Sequence, residues 1–337
     1  MARVAINGMG RIGRALFKNL VDTPGLDIVA VNDIAPLDNT AYLLKYDSVY
    51  GRYEKPVSTE NGTLVADGER YQYVSEKNPG GLPWDELNID VVFECTGLFT
   101  TMDKLRPHIE AGARHVILSA PAKDEEVEMV VHGVNKPGNN QVISCASCTT
   151  NCISPVAEVM DRHFGVAKAT MTTIHAYTSS QNIVDGPHKK WRRGRAGAIN
   201  FVPTSTGAAI ATTKAIPKLE GKFDGVAVRG PIPVGSIADV VFHVKESTSV
   251  EEANGAFEEE AGTDRYADVL AVAEDPIVSS DIIKDPHASV LDPSMTQVVG
   301  GDLVKIMSWY DNEWGYVNQM IRESRRILNT EQEPAEA

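Results

Sequence analysis

Residues 3–7, Arg-Val-Ala-Ile-Asn, form a short apolar run that reads as a buried strand. Over 10–22 apolar residues recur at helical spacing, with Ile12, Leu16 and Leu20 on one face, and Thr23-Pro24-Gly25 stops the helix. A second run at 27–32 predicts the next strand, so the chain opens with a βαβ unit whose parallel strands need the helical crossover. Runs at 90–95 and 115–119, with a helix over 102–112 between them, continue the alternation. They predict a doubly wound parallel sheet of Rossmann type, an α/β class. After Cys148 the pattern changes. A helix over 149–163 leads into long strand-like runs at 167–177, 225–229 and 236–245, with a polar, basic loop from 178 to 200 between the first two. A second, α+β domain with a mixed or antiparallel sheet is expected there. Pro155 removes one hydrogen bond from the helix after Cys148, which is therefore expected to begin late or bend. A strand at 303–310 and a helix over 315–328 follow, and 331–337 is expected to be a disordered, solvated tail.

The 337 residues exceed what one core usually organises, and the change of pattern places the boundary between 1–147 and 148–312. A net charge of −14 opposes general nucleic-acid binding, because phosphate would be repelled by the molecule as a whole. No apolar run approaches the roughly 18 residues of a membrane span, and the first residues lack the layout of a secretory signal. A cytoplasmic protein without a membrane partner is expected. Four cysteines are too few for a disulfide scaffold, and Cys145, Cys148 and Cys152 crowd together.

Gly8-x-Gly10-x-x-Gly13 lies between a predicted strand and helix, with Asp33 at the end of the next strand. In that setting the first glycine permits a tight turn, the second lets a pyrophosphate approach, and the third allows close helix packing. Asp33 is suited to accept ribose hydroxyls. Cys148 sits where a strand meets a helix, so helix amides would favour its thiolate. A metal site is not expected, since Cys95 is remote and no Cys/His pair supplies a second half-site. His175, at a strand end, is a candidate base through its pairing with Cys148. The run His188-Lys189-Lys190-Trp191-Arg192-Arg193-Gly194-Arg195 marks an anion site, an interface or a solvated loop, and Thr204-Ser205-Thr206-Gly207 adds donors suited to phosphate.

With these residues in place, the chain resembles the phosphorylating glyceraldehyde-3-phosphate dehydrogenase family of glycolysis over residues 2–328. The likeness runs through Asn-Gly-x-Gly-Arg-Ile-Gly at 7–13, Leu-Lys-Tyr-Asp-Ser at 44–48, Glu-Cys-Thr-Gly at 94–97 and Ser-Ala-Pro-Ala-Lys at 119–123. It continues through Ala-Ser-Cys-Thr-Thr-Asn-Cys at 146–152, Arg-Arg-x-Arg at 192–195, Thr-Ser-Thr-Gly-Ala-Ala at 204–209 and Ser-Trp-Tyr-Asp-Asn-Glu-Trp-Gly-Tyr at 308–316. The resemblance implies Cys148 as nucleophile and His175 as its base. It implies Gly8, Gly10, Arg11, Ile12, Gly13, Asp33, Thr96, Gly97 and Ser119 around NAD, with Asn312 on the nicotinamide carboxamide. Thr178, Arg193 and Arg229 would surround the substrate phosphate, and Ser147, Thr206 and Gly207 the attacking inorganic phosphate, with Thr149 in the same phosphate-binding set. It further implies that the helix 313–330 completes the cofactor domain and that the chain forms a homotetramer with its basic loop near a subunit interface.

The implied reaction joins a Cys148 thiohemiacetal, hydride transfer to NAD, and attack of phosphate on a thioester to give 1,3-bisphosphoglycerate. The chain departs from many members in carrying Gly230 and Gly235 around Pro231-Ile232-Pro233-Val234, and Gly186 before Pro187. NAD is favoured because Asp33, Ile34 and Pro187 offer no donor to a 2′-phosphate, and dual use of NADP stays open. Two other readings stand beside this one. A hydrolytic erythrose-4-phosphate dehydrogenase type is opposed by Thr206-Gly207, and a nucleic-acid or partner-binding protein using 188–195 is opposed by the complete catalytic positions.

Overall fold

The computed structural model describes residues 1–330, and the tail 331–337 lies outside the described residues. The chain divides into two units. One is Met1–Val130 with Pro137–Ala146 and the chain from Met320 onward; the other is Val131–Lys136 with Ser147–Gln319.

The first unit is built on a nine-stranded sheet among the described residues. Its parallel centre is Val142–Ser144, His115–Leu118, Val91–Glu94, Ala2–Asn7 and Leu26–Asn32, in that spatial order. Val91–Glu94 is buried at every position, as expected of a strand covered on both faces. The chain leaves Ala2–Asn7 through the helix Arg11–Val21 for the neighbour on one side, then returns later to the other side at Val91–Glu94. The winding therefore reverses at Ala2–Asn7, and the crevice beyond the carboxyl ends of these strands is where α/β sheets bind ligands. The far edge adds Glu69–Val74, Thr63–Ala66 and Val57–Glu60, the last two antiparallel. Asn61-Gly62 and Asp67-Gly68 turn this meander with positive φ at all four residues.

The second unit carries an eight-stranded mixed sheet, ordered Val202–Ser205, Phe223–Gly230, Val166–Ala176, Ser236–Val244, Leu303–Tyr310, Ser289–Leu291, Leu270–Val272, with Gln297–Val299 also paired to Leu303–Tyr310. Val166–Ala176 is parallel to Phe223–Gly230 and antiparallel to Ser236–Val244. Helix Cys148–Phe164 packs on this sheet. It begins at Cys148, not late, and runs through Pro155. The start is fixed by Ser147, whose hydroxyl accepts from the Thr150 N–H at 3.1 Å and so satisfies one of the helix's free donors. Within the last helix, Trp314–Thr330, the chain passes into the first unit, where Arg325 donates to the Pro24 carbonyl at 3.0 Å. No helix among the described residues is long and apolar enough to cross a membrane.

Candidate active site

Cys148 occupies the first turn of its helix, directly after a sharp strand-to-helix turn at Ala146. That residue holds a left-handed φ of 54°, strain of about 1–3 kcal/mol for a residue with a Cβ. His175 is next to last in Val166–Ala176, a strand whose Met171, Thr173 and His175 alternate inward. The two meet with Cys148 Sγ 3.4 Å from His175 Nε2. His175 Nδ1 lies 2.7 Å from the Ala176 carbonyl; when Nδ1–H donates there, Nε2 is left with its lone pair facing the sulfur. Behind the pair Tyr310 closes the site. Its ring packs edge-on against His175 at 5.9 Å, and its hydroxyl lies 2.8 Å from those of both Thr149 and Thr173.

The helix amides expected to favour thiolate are present, but burial outweighs them. Desolvation pushes the Cys148 thiol up, against the pull of the Arg229 guanidinium and the Thr149 backbone N–H. Burial, then Arg229, pushes His175 down to about 3. Both shifts favour a neutral pair at rest, with the imidazole free to accept a proton. Of the other cysteines, Cys145 and Cys152 are buried and Cys95 is half-buried; Cys152, pushed up to about 12 by burial, lies 3.7 Å from the Ser289 hydroxyl. Among the described residues no group of three metal-ligating side chains converges.

Strand register sets Arg229 beside His175, since the two are direct partners across the parallel ladder. Arg229 NH1 donates to the Ala176 carbonyl at 3.0 Å and crowds His175 Nδ1 at 2.5 Å; with Nδ1–H turned to Ala176 that approach is a charge contact and not a hydrogen bond. Arg193 adds a second positive field felt by both His175 and Arg229. Its guanidinium is oriented by Thr204 Oγ1 at 2.9 Å and Ser180 Oγ at 3.3 Å, and Ser180 in turn pairs with Thr178 Oγ1 at 2.8 Å. Thr178, Arg193 and Arg229 therefore belong to one hydroxyl and guanidinium cluster suited to an anion. Thr206 and exposed Gly207 lead into helix Ala208–Ala215, with the Thr206 hydroxyl accepting from the Ala208 N–H at 3.2 Å. The Thr149 hydroxyl is turned to Tyr310, and Asn312 Oδ1 accepts from Ser236 Oγ at 3.1 Å, which leaves the Asn312 amide as the donor end. Elsewhere the basic loop spends charge internally: Arg195 pairs with Asp185 at 2.6 Å and Lys190 donates to Ser205 at 2.9 Å. Thr204 belongs to the hydroxyl run the sequence marks for phosphate, whereas Ser180, Ser236 and Tyr310 receive no role from the sequence, because their hydroxyls gain one only when the fold aligns them.

In the first unit the three glycines each meet a distinct need. Gly8 has φ +99°, and a Cβ there would fall 2.7 Å from the Thr96 nitrogen. A Cβ at Gly13 would lie 1.9 Å from the Gly8 carbonyl oxygen, whereas at Gly10, the cap of helix Arg11–Val21, it would meet nothing within 4 Å. A tight turn, close helix packing and an open approach to helix amides together fit a dinucleotide pyrophosphate. Asp33 ties the turn to the second strand, accepting from the Met9 N–H at 2.6 Å and the Ala35 N–H at 2.9 Å. Arg11 is bound to Asp47, whose side chain is 4% exposed, at 2.8 Å, which makes it a brace for the loop after 45. Thr96 and Gly97 follow Val91–Glu94, Gly97 with φ +71°, and the Ser119 hydroxyl bonds the Cys95 thiol. Ile12 lies in the first turn of the helix.

Residues 2–102 match the family described as glyceraldehyde 3-phosphate dehydrogenase, NAD binding domain, and residues 147–312 match the corresponding C-terminal domain. A glyceraldehyde-3-phosphate dehydrogenase of Streptomyces coelicolor is 48% identical over 324 residues, spanning 95% of this chain and 96% of the relative. Relatives of that name from Mycobacterium tuberculosis, 47% identical over 95% of this chain and 96% of their own, and from Clostridium pasteurianum, 44% over 96% and 97%, match equally fully. The dinucleotide turn, the paired cysteine and histidine, and these matches lead to one statement: the chain belongs to the glyceraldehyde-3-phosphate dehydrogenase family.

Proposed function

We propose that this protein oxidises D-glyceraldehyde 3-phosphate to 1,3-bisphosphoglycerate with NAD and inorganic phosphate, using Cys148 as nucleophile and His175 as base. The observation that carries the reading is the 3.4 Å approach of Cys148 Sγ to His175 Nε2 beside the Arg229 and Arg193 charges. In the first step Sγ bonds to the aldehyde carbon. The thiol proton passes to Nε2 and on to the former carbonyl oxygen, which gives a thiohemiacetal. NAD, when bound, supplies the acceptor for the hydride that leaves that carbon. His175 takes the hydroxyl proton as the C=O bond re-forms, leaving a thioester on Cys148. A phosphate oxygen then attacks the acyl carbon, the C–S bond breaks, and the sulfur recovers its proton from His175.

Thr178, Arg193 and Arg229 are assigned to the substrate phosphate, and Ser147, Thr149, Thr206 and Gly207 to the attacking phosphate. Arg229 would then carry a further duty, since it touches His175 directly. Asn312 is assigned to the nicotinamide carboxamide, with its amide oriented by Ser236. Gly8, Gly10, Ile12, Gly13, Asp33, Thr96, Gly97 and Ser119 are assigned to the rest of NAD, and Arg11 supports them through Asp47. A cytoplasmic setting accords with four free cysteines, and a homotetramer accords with the exposed apolar side chains along 183–201.

The covalent step is tested by incubating the protein with NAD and glyceraldehyde 3-phosphate in the absence of inorganic phosphate, followed by peptide mass spectrometry. The expected result is a 3-phosphoglyceroyl adduct on the Cys148 peptide that disappears when phosphate is added. An adduct on another cysteine, or none at all, would contradict the assignment.

A further inference from the structure

Beneath the glycine turn lies a chain of polar side chains that no step above uses. Trp84, Glu94 and His108 are each 0% exposed. Trp84 Nε1–H donates to His108 Nδ1 at 3.0 Å. An indole N–H only donates, so Nδ1 must be the unprotonated nitrogen, and the neutral ring carries its proton on Nε2. That nitrogen donates to Glu94 Oε2 at 3.2 Å. The same oxygen accepts from Asn7 Nδ2 at 2.5 Å, while Oε1 accepts the Thr96 backbone N–H at 2.8 Å and the Thr96 hydroxyl. Four donors thus meet two oxygens, the full acceptor capacity of a carboxylate. From Asn7 the chain continues: its Oδ1 accepts from Asn32 Nδ2 at 2.6 Å, and Asn32 bonds the Glu76 backbone in both directions at 2.9 Å.

The placement of these residues gives the network its meaning. Asn7, Asn32 and Glu94 end the three adjacent parallel strands at the switch point, immediately before Gly8, Asp33 and the Cys95–Gly97 loop. Gly8 and Thr96 approach so closely that no Cβ fits between them. A buried polar network costs desolvation that an apolar core would not incur, and what it gives in return is a single fixed geometry.

We propose that Glu94 is a positioning residue for dinucleotide binding. Its carboxylate sets the spacing between the Gly8 turn and the Thr96–Gly97 loop, and His108 serves it as a donor whose tautomer is imposed by Trp84. The inference rests on reading the Gly8–Gly13 turn as the dinucleotide cradle. Glu94→Gln keeps the side-chain shape but replaces one oxygen by an amino group, setting donor against donor.

In the full chain, NAD titration by calorimetry should show Kd raised about tenfold or more, about 1.4 kcal/mol, for Glu94→Gln. The rate of Cys148 alkylation by iodoacetamide without NAD, a readout from the other unit, should stay within about twofold of the parent protein. Unchanged NAD affinity in the variant would overturn the inference, as would a loss of affinity matched by an equal loss of alkylation. Absence of NAD binding by the parent protein would instead remove the underlying reading of the turn. Nitrogen-15 NMR of the parent protein tests the tautomer without any variant: His108 should show an unprotonated Nδ1, and a protonated Nδ1 would overturn the inference.

Discussion

Single residues here do more than one task, and their second tasks came from the fold. The candidate pair was legible because Cys148 stands at a strand-to-helix junction, and His175, one histidine among several, is a candidate only through that cysteine. Their balance of charge was not, since it depends on how completely the sheet and Tyr310 exclude water. Asp33 shows the same division. From the sequence its carboxylate is suited to accept ribose hydroxyls, and the structure adds that it holds the Met9 and Ala35 N–H groups. With NAD in the proposed place, replacing it would remove a negative charge that opposes a 2′-phosphate. Asp33→Ala should therefore raise the ratio of kcat/KM with NADP to that with NAD by about tenfold or more, the scale of one charge-assisted hydrogen bond of about 1.5–3 kcal/mol. Steady-state kinetics with both coenzymes measures this, and an unchanged ratio would move selectivity to other residues.

At the scale of elements, legibility followed the strength of the periodic signal. The strands Ala2–Asn7, Leu26–Asn32 and Leu303–Tyr310 and the helix Arg11–Val21 lie where the apolar spacing places them. The helix Cys148–Phe164 begins earlier than Pro155 implied, because a hydroxyl cap at Ser147 and burial along most of its length compensate for one missing hydrogen bond. Three kinds of element were missed. The meander over 57–74 has short, half-exposed strands, although Asn61-Gly62 and Asp67-Gly68 are hairpin signals. Helix Val250–Ala261 is acidic and weakly periodic, yet Ser249 and Glu252 form a reciprocal capping box visible as Ser-x-x-Glu. Short strands such as Leu270–Val272 take their identity from partners far along the chain, which no local pattern records. The register that sets His175 opposite Arg229 is of that kind.

For the whole molecule, charge and surface composition bear on assembly and partners. A net charge of −14 coexists with a basic loop whose arginines are partly spent on Asp185, Thr204 and Ser180. Along and beside that loop Ile183, Val184, Trp191, Ile199 and Phe201 are between 72% and 88% exposed, a concentration of apolar surface unusual for a monomer. Sedimentation velocity should accordingly give a species of four chains, and a concentration-independent monomer would contradict the proposed homotetramer.

The reaction itself is tested most directly by following reduced-nicotinamide absorbance with glyceraldehyde 3-phosphate and NAD, with and without inorganic phosphate. Sustained turnover that requires phosphate is the predicted result. Turnover that proceeds equally without phosphate would mean that water resolves the Cys148 thioester, and it would contradict the formation of an acyl phosphate.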